Sequence, residues 1–499
     1  MVNLLPVSTS RSFRNAAMAR DLGVFFAPRS VAVVGAGERP TSSGGAVLQN
    51  LRIARYGGEI VPVNPRGGEI FGLTVRRNLG ELAAPADLVV IVIRPGLINA
   101  AVREAAANGH RNFLILPGGF AEAGAEGAAR DAELREIAAA HDLTIAGPNC
   151  AGIIHLPAGG RFAASFLRDL PPGPNARGGI AFISQSGAIA EEVIAAANRT
   201  GLPLATVVTV GNAMQLGIAD FLEHAGADET TTAVLLYIES LDDPRRFRDI
   251  ARRVAARKPV VALIGGRSPR GAVAAGAHTG AVANDDATVE EFCRDCGVLR
   301  VRTLRRLLLA GTGFAAFPAG IGRRVLILSN SGGPSVLCTD QAEEEGLAIV
   351  DLPRRMAETL RAALPGEASV ANPLDLLADA REERFGLTFE AALREGKAAF
   401  DAILGIHVVP FMVEAGPVVA RIAELAPRAG LPVMHSMMGT LPGRASWFAA
   451  LGAAGVPCFG DVETMAECAG LLARYPALRA AAVDTAAADR PIRLRGRDG

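Results

Sequence analysis

Short aliphatic runs recur along this chain, each followed by Gly, Pro or Asn punctuation and then by an Ala-rich segment of helix length. In the first third the runs are Ser30–Gly35, Glu59–Asn64, Leu88–Arg94, Asn112–Pro117 and Leu143–Ala146. None alternates with period two, so they read as strands covered on both faces, as in a parallel sheet. Intervening segments such as Ala123–His141 have helical length and spacing. The expected unit is an open βαβ domain ending near residue 155. A Gly/Pro-rich stretch, Leu170–Gly179, follows as a linker or domain edge. The pattern restarts with Ile180–Ser184, Leu204–Val210, Ala233–Glu239 and Pro259–Gly265. It restarts again from Arg324, with Val325–Ser329, Leu347–Val350, Ala402–Val409 and Pro432–His435. The expectation is an α/β chain of three doubly wound domains, 1–155, 156–315 and 316–480, with a flexible Arg-rich tail over 481–499.

Composition narrows the function. Among 499 residues, Lys+Arg 51 balance Asp+Glu 51, so no basic excess exists to condense on nucleic acid or anionic lipid. Hydrophobic residues at 50% against 20% charged can fill several cores, and with Trp 1 and Tyr 3 those cores must be aliphatic. No aliphatic run approaches the ~20 residues of a spanning helix, and no apolar secretory segment is read at the N-terminus. Six cysteines are too sparse for a disulfide scaffold. The expectation is a soluble, cytoplasmic protein.

The second and third units share an echo. Ile183-Ser184-Gln185-Ser186-Gly187 and Leu328-Ser329-Asn330-Ser331-Gly332-Gly333 each follow a strand and precede a helix. Such a turn aims backbone N–H groups and the positive helix end at one point, which suits phosphate. Ser and Gly are also ordinary cap and turn residues, so one loop alone decides little. Two at matching positions make duplication with a shared phosphate role plausible.

The first unit opens with Gly35-Ala36-Gly37 and then Ser43-Gly44 before a helix, a turn that lets backbone approach a diphosphate. Its second strand ends Asn64-Pro65-Arg66, where an Arg suits a phosphate. No carboxylate sits there for a ribose, which argues against NAD and against a nicotinamide oxidoreductase. Further strand ends carry Arg94, Gly118-Gly119 and Asn149-Cys150 along the same expected edge. Taken in order, Gly35-Ala36, Pro62-Val63-Asn64-Pro65, Gly118-Gly119-Phe120-Ala121-Glu122 and Gly147-Pro148-Asn149-Cys150-Ala151-Gly152 resemble the CoA-binding domain of the succinyl-CoA synthetase superfamily. Order and spacing are similar to those of the NDP-forming acyl-CoA synthetases, from about Leu22 to about Tyr475. The resemblance implies a Rossmann-like CoA-binding domain followed by two flavodoxin-like domains. It implies CoA contacts at Gly35, Ala36, Gly37, Ser43, Gly44, Asn64, Pro65, Arg66, Arg94, Gly118, Gly119, Asn149 and Cys150.

The resemblance also singles out His278, in Gly276-Ala277-His278-Thr279-Gly280, as the phosphorylated nucleophile, and Glu239 as its carboxylate partner. A neutral imidazole nitrogen can carry a phosphoryl group while a carboxylate fixes its tautomer. Glu239 also reads as an acid closing a buried strand. His110, His141, His155 and His224 read as surface residues, and His407 and His435 as core or edge residues. Cys293-x-x-Cys296 lacks a second ligand pair, and no metal site is read. Asn372-Pro373-Leu374-Asp375 reads as structural or near an acyl site.

Two features depart from the family. Gln215 stands where the family usually has Asp, three positions beyond Asn212, which leaves the site and substrate choice open to alteration. The nucleotide site, normally an ATP-grasp module with lysines, has no room here, and Lys258 and Lys397 are the only lysines. An ATP-grasp β-type subunit is therefore expected as partner, holding ADP/ATP (or GDP/GTP) and Mg, with this chain as the α-type subunit of an oligomer acting on an acyl-CoA or carboxylic acid with CoA and phosphate. The rival is a CoA- or acyl-CoA-binding regulatory protein without ligase activity.

Overall fold

The structure, a computed structural model, describes residues 21–39, 41–157, 160–271, 273 and 286–488. The chain forms two compact units, the first running to Gly311 and including the residues from Arg479, the second spanning Thr312–Leu478.

Unit 1 contains two main sheets. The first has β1 (Ser30–Val34), β2 (Glu59–Val63), β5 (Leu88–Ile91), β6 (Asn112–Ile115) and β7 (Thr144–Ala146) in the order β2-β1-β5-β6-β7. All pairings are parallel, and Leu88–Ile91 is buried throughout, which is why its sequence does not alternate. A short hairpin, β3 (Glu69–Ile70) and β4 (Leu73–Thr74), follows β2. The second sheet takes β8 (Gly152–His155), β9 (Phe162–Ser165), β10 (Gly179–Ser184), β11 (Leu204–Thr209), β12 (Thr231–Ile238), β13 (Val260–Ile264) and β14 (Leu299–Val301). Its order is β14-β13-β12-β10-β11-β8-β9, with β8 and β9 antiparallel at one edge. The expected domain edge near residue 155 thus lies between two strands of the second sheet. In unit 1 one hydrophobic cluster joins both sheets, with Phe26 and Val90 beside Val208 and Leu236, and a second packs Ile91, Phe113 and Ile145 of the first sheet, so phenylalanine shares these cores with the aliphatic residues.

Unit 2 holds β15 (Arg324–Ser329), β16 (Ala348–Ile349), β17 (Leu374–Asp375), β18 (Ala402–Val409), β19 (Val433–Gly439) and β20 (Cys458–Phe459). The order is β16-β15-β18-β19-β20, with β17 beside the end of β15. Its core gathers Leu326, Phe385, Phe389, Phe400 and Val418.

The parallel core of each sheet repeats one doubly wound order, in which the chain steps to one side of its first strand and then returns to the other. The switch points fall between β1 and β5, between β10 and β12, and between β15 and β18. Crevices at the carboxyl ends of such strands are where open α/β sheets bind ligands. Among the described residues no helix is long and apolar enough to cross a membrane.

Candidate active site

At the first switch point, Gly35 takes φ +94°, and a Cβ there would lie 2.8 Å from the carbonyl oxygen of Val92. Gly44 packs still closer, since its Cβ would meet the Gly35 oxygen at 2.2 Å. The turn is fastened from the next strand end, where Asn64 Nδ2 donates to the Ala36 oxygen at 2.9 Å. Asn64 Oδ1 accepts the Arg66 N–H at 3.1 Å, leaving Pro65 and Arg66 exposed. The cap of helix Ser43–Ile53 is Ser42, whose hydroxyl accepts from Gly45 N at 3.2 Å, while Ser43 is the first helical residue. Arg94 is exposed and precedes a helix that starts at Pro95, where a missing N–H costs nothing. Gly37, Gly118 and Gly119 are partly open, and Ala36 is buried.

Asn149 and Cys150 part company. Asn149 is exposed with φ +59°, whereas Cys150 is buried and its thiol donates to the Ile115 oxygen at 3.4 Å. Burial pushes that thiol up to about 12, so the Cys150 side chain is a packing group turned away from the edge. The loop after β11 docks on this turn. Gly211, at φ +56°, would put a Cβ 2.2 Å from the Asn149 oxygen, and Asn212 N donates to the Pro148 oxygen at 2.9 Å. Asn149 Nδ2 donates to Asn212 Oδ1 at 3.1 Å, and Asn212 Nδ2 donates to Glu122.

Gln215 does not approach this group. Its Oε1 accepts from Ile145 N at 2.6 Å and its Nε2 donates to the Leu143 oxygen at 3.0 Å, so the amide pairs with the edge of β7 as a strand would. The expectation that Gln215 alters the site gives way to a structural role, because its side chain is consumed by backbone.

In the second sheet the serine turn is internally knit. Ser184 Oγ donates to the Ser186 oxygen at 2.8 Å and accepts from Ser186 N at 3.0 Å, and Ser186 Oγ caps Ile189 N at 3.3 Å. Gln185 reaches across the switch point. Its Oε1 accepts from the backbone N–H of Glu239 and of Ser240, the latter at 2.9 Å, while its Nε2 donates to the Ser240 oxygen at 3.0 Å. Glu239 is thereby fixed beside the turn, and its carboxylate meets the Tyr237 hydroxyl; burial first and that charge second push Tyr237 up to about 12. Backbone N–H groups of Gly187 and Ala188, at the start of helix Gly187–Thr200, have no acceptor among the described residues.

Unit 2 repeats the construction. Ser329 Oγ donates to the Ser331 oxygen at 2.9 Å and accepts from Ser331 N at 3.0 Å. Asn330 crosses its own switch point, donating to the Val408 oxygen at 2.9 Å and accepting from Val408 N at 2.8 Å. Gly332 and Gly333 open the following helix, exposed, and a Cβ on Gly333 would meet nothing within 4 Å. Asn372 serves structure, donating to the Val325 and Val350 oxygens at 2.8 Å each. His278 lies outside the described residues.

Known proteins share this fold. A CoA binding domain family matches residues 29–156, and a succinyl-CoA ligase like flavodoxin domain family matches 177–314. The alpha subunit of an ADP-forming acetate–CoA ligase II from Pyrococcus furiosus is 35% identical over 389 residues, covering 78% of this chain and 83% of that one. The chain belongs to that ADP-forming ligase family. An ADP-forming acetate–CoA ligase I from Archaeoglobus fulgidus is 34% identical over 366 residues, 73% of this chain but only 52% of its own length. In structure, a dinucleotide-forming acetyl-coenzyme A synthetase 1 of Ca. Korarchaeum cryptofilum, solved with phosphate and ADP, matches 93% of this chain and 99% of that one at TM-score 0.86 and 26% identity.

Within this ligase family fold, unit 1 brings together Glu239 with the Ser184–Gly187 turn, and Asn149 with Gly118 and Gly119. Glu122 and Asn212 stand in motifs recognised by sequence, yet their part in the site comes only from the contact between two loops. Three histidines expected at the surface are not there. His110 is buried and accepts from Ala86 N at 3.1 Å. His224 stacks on Phe26 at 4.0 Å, and His155 lies edge-on to the same ring at 5.3 Å. Burial pushes His155 down to about 4. Cys293 and Cys296 are both buried, and burial raises both thiols.

Proposed function

We propose that this chain is the CoA-binding, phosphohistidine-bearing α subunit of an acyl-CoA synthetase that interconverts acyl-CoA, phosphate and ADP with acid, CoA and ATP. Phosphate attacks the thioester carbonyl, giving an acyl phosphate and releasing CoA as the thiol. An imidazole nitrogen of His278 then takes the phosphoryl group, and the carboxylate leaves. ADP finally takes the phosphoryl group from His278.

The observation that carries this reading is the tie between Glu239 and the Ser184–Gly187 turn. Gln185 locks the carboxylate-bearing strand end to a helix start whose first N–H groups are open to an anion. Those donors and the helix dipole would stabilise charge on the transferring group, while Glu239 would orient the imidazole and support its positive charge. The Ser329–Gly333 turn is proposed for the same anion chemistry. CoA is assigned to Gly35, Ala36, Gly37, Ser43, Gly44, Asn64, Pro65, Arg66, Arg94, Gly118, Gly119 and Asn149, with Cys150 lending only backbone. The domain limits proposed are 1–155, 156–315 and 316–480.

The nucleotide and Mg are assigned to an ATP-grasp β-type partner, in a cytoplasmic oligomer. In support, the chain spans most of a relative named as an alpha subunit but about half of one named as a ligase with no subunit designation. Relatives named as ligases favour this reading over the regulatory alternative. The test is intact mass after incubation with acyl-CoAs and phosphate. An acid-labile phosphoryl adduct, absent in His278→Ala, supports the reading. No adduct with any acyl-CoA, with and without an ATP-grasp partner, rejects it.

A further inference from the structure

The polar groups around Asn149 form a chain with a direction. Glu122 Oε1 accepts the backbone N–H groups of Gly119 and, at 3.3 Å, of Phe120, and Oε2 accepts from Asn212 Nδ2. A carboxylate has only acceptors to offer. Asn212 must therefore turn its NH2 toward Glu122 and its oxygen toward Asn149. Asn149 must answer with its own NH2, at 3.1 Å, so that its Oδ1 faces outward. Burial alone would raise the Glu122 carboxyl, but hydrogen bonds from Asn212 and from the Gly119 and Phe120 amides outweigh it and hold the group below its ordinary range. Glu122 thus stays charged, and the direction of the chain stays set.

The outward oxygen lies over a residue with no side chain. A Cβ on Gly118 would sit 2.8 Å from Glu122 Oε1 and 2.9 Å from Asn149 Oδ1, so two acceptors face the open side of this glycine. Among the described residues Asn149 Oδ1 has no donor, and Asn149 is exposed. Asn149 stands where the loop after β11, from the sheet bearing Ser184–Gly187, meets the edge of the first sheet. A ligand held along the first edge and reacting at the second must cross this point.

We propose that Glu122 is a positioning residue that, through Asn212, sets Asn149 to present a carbonyl oxygen to an amide N–H of the pantetheine arm of CoA. This rests on the CoA reading above. The phosphates of CoA offer only acceptors, which the outward oxygen would repel, and the arm joins the nucleotide half to the reacting sulfur.

The test uses Glu122→Gln in the full chain. The substituted amide keeps an oxygen for the Gly119 and Phe120 N–H groups but donates to Asn212, so both asparagines turn over and Asn149 presents NH2. Calorimetric titration should show CoA binding weakened about tenfold, with adenosine 3′,5′-bisphosphate, the nucleotide half of CoA, bound within about twofold of wild type and Tm unchanged. Asn212→Ala, which cuts the chain without touching either end, should show the same selectivity. CoA bound equally well by Glu122→Gln, or an equal loss for both probes, overturns the proposal. Wild type that binds no CoA overturns the CoA reading itself, a result separate from either.

Discussion

His407 in β18 and His435 in β19 are fully buried, their ring centroids are 6.3 Å apart, and among the described residues none of their four ring nitrogens has a hydrogen-bond partner. Desolvation keeps both neutral, pushing His407 down to about 4 and His435, beside it, to about 3. An unfolded histidine titrates near 6.5, so below that pH the unfolded chain binds two protons that folded unit 2 excludes. The folded pKa values are depressed, so this stability is complete above about pH 6.5 and falls as the pH drops toward the folded values. Each site costs about 1.4 kcal/mol per pH unit in that window, hence about 4 kcal/mol for the pair at pH 5, a large share of a typical 5–15 kcal/mol. Asp401 and Asp379, held low by hydrogen bonds from Arg324 and Arg384, lose their contributions only below the ordinary carboxylate range. The assay is urea unfolding followed by fluorescence of Trp447, the single tryptophan, which packs against the core of unit 2. His407→Leu should reduce the slope of stability against pH between 6 and 4.5 by about 1.4 kcal/mol per unit. Stability that is flat from pH 7 to 5, or an unchanged slope in His407→Leu, would refute the reasoning.

Three further outcomes are expected. Gln215→Ala leaves the buried Ile145 N–H without its acceptor and should destabilise unit 1 by about 1–3 kcal/mol in chemical denaturation, without changing which acyl-CoA labels His278. Ser186→Ala removes a helix cap and should cost about 1 kcal/mol, whereas Ser331→Ala, whose side chain makes no cap hydrogen bond, should cost much less in the same measurement. Gly44→Ala drives a methyl into the Gly35 oxygen, and titration should show CoA binding lost or at least about tenfold weaker even where the variant still folds.

The strands flanking all three switch points were legible because burial on both faces leaves runs such as Leu88–Ile91 without polar interruption. The antiparallel pair β8 and β9 was not, since Gly152-Ile153-Ile154-His155 and Phe162-Ala163-Ala164-Ser165 mix Gly, Ala, Ser and His with few branched residues, unlike the unbroken aliphatic run Leu88–Ile91. The serine turns could be read from their Ser and Gly content, but not the amides within them. Gln185 and Asn330 find their partners 55 and 78 residues away, and Gln215 finds Ile145 70 residues away. Spacing along the chain carries no trace of such meetings. The histidines failed for a related reason: an imidazole is apolar enough to lie on Phe26, and only the fold shows that Phe26 is there.

The two serine turns also show which of their residues can meet a ligand. In each, the first serine hydroxyl is spent on the main chain of the second, and the intervening amide is spent on the neighbouring strand end across the switch point. What remains for an anion is the backbone N–H groups of Gly187 and Ala188 in one unit and of Gly332 and Gly333 in the other, joined in unit 2 by the Ser331 hydroxyl, which makes no cap hydrogen bond. Ser184, Ser186 and Ser329 are architecture, and glycine keeps the approach open. It follows that replacing Ser184, Ser186 or Ser329 should loosen its turn and lower affinity indirectly, through stability. A bulky side chain at Gly333, where a Cβ meets none of the described residues within 4 Å, should leave the fold intact while obstructing whatever the turn binds.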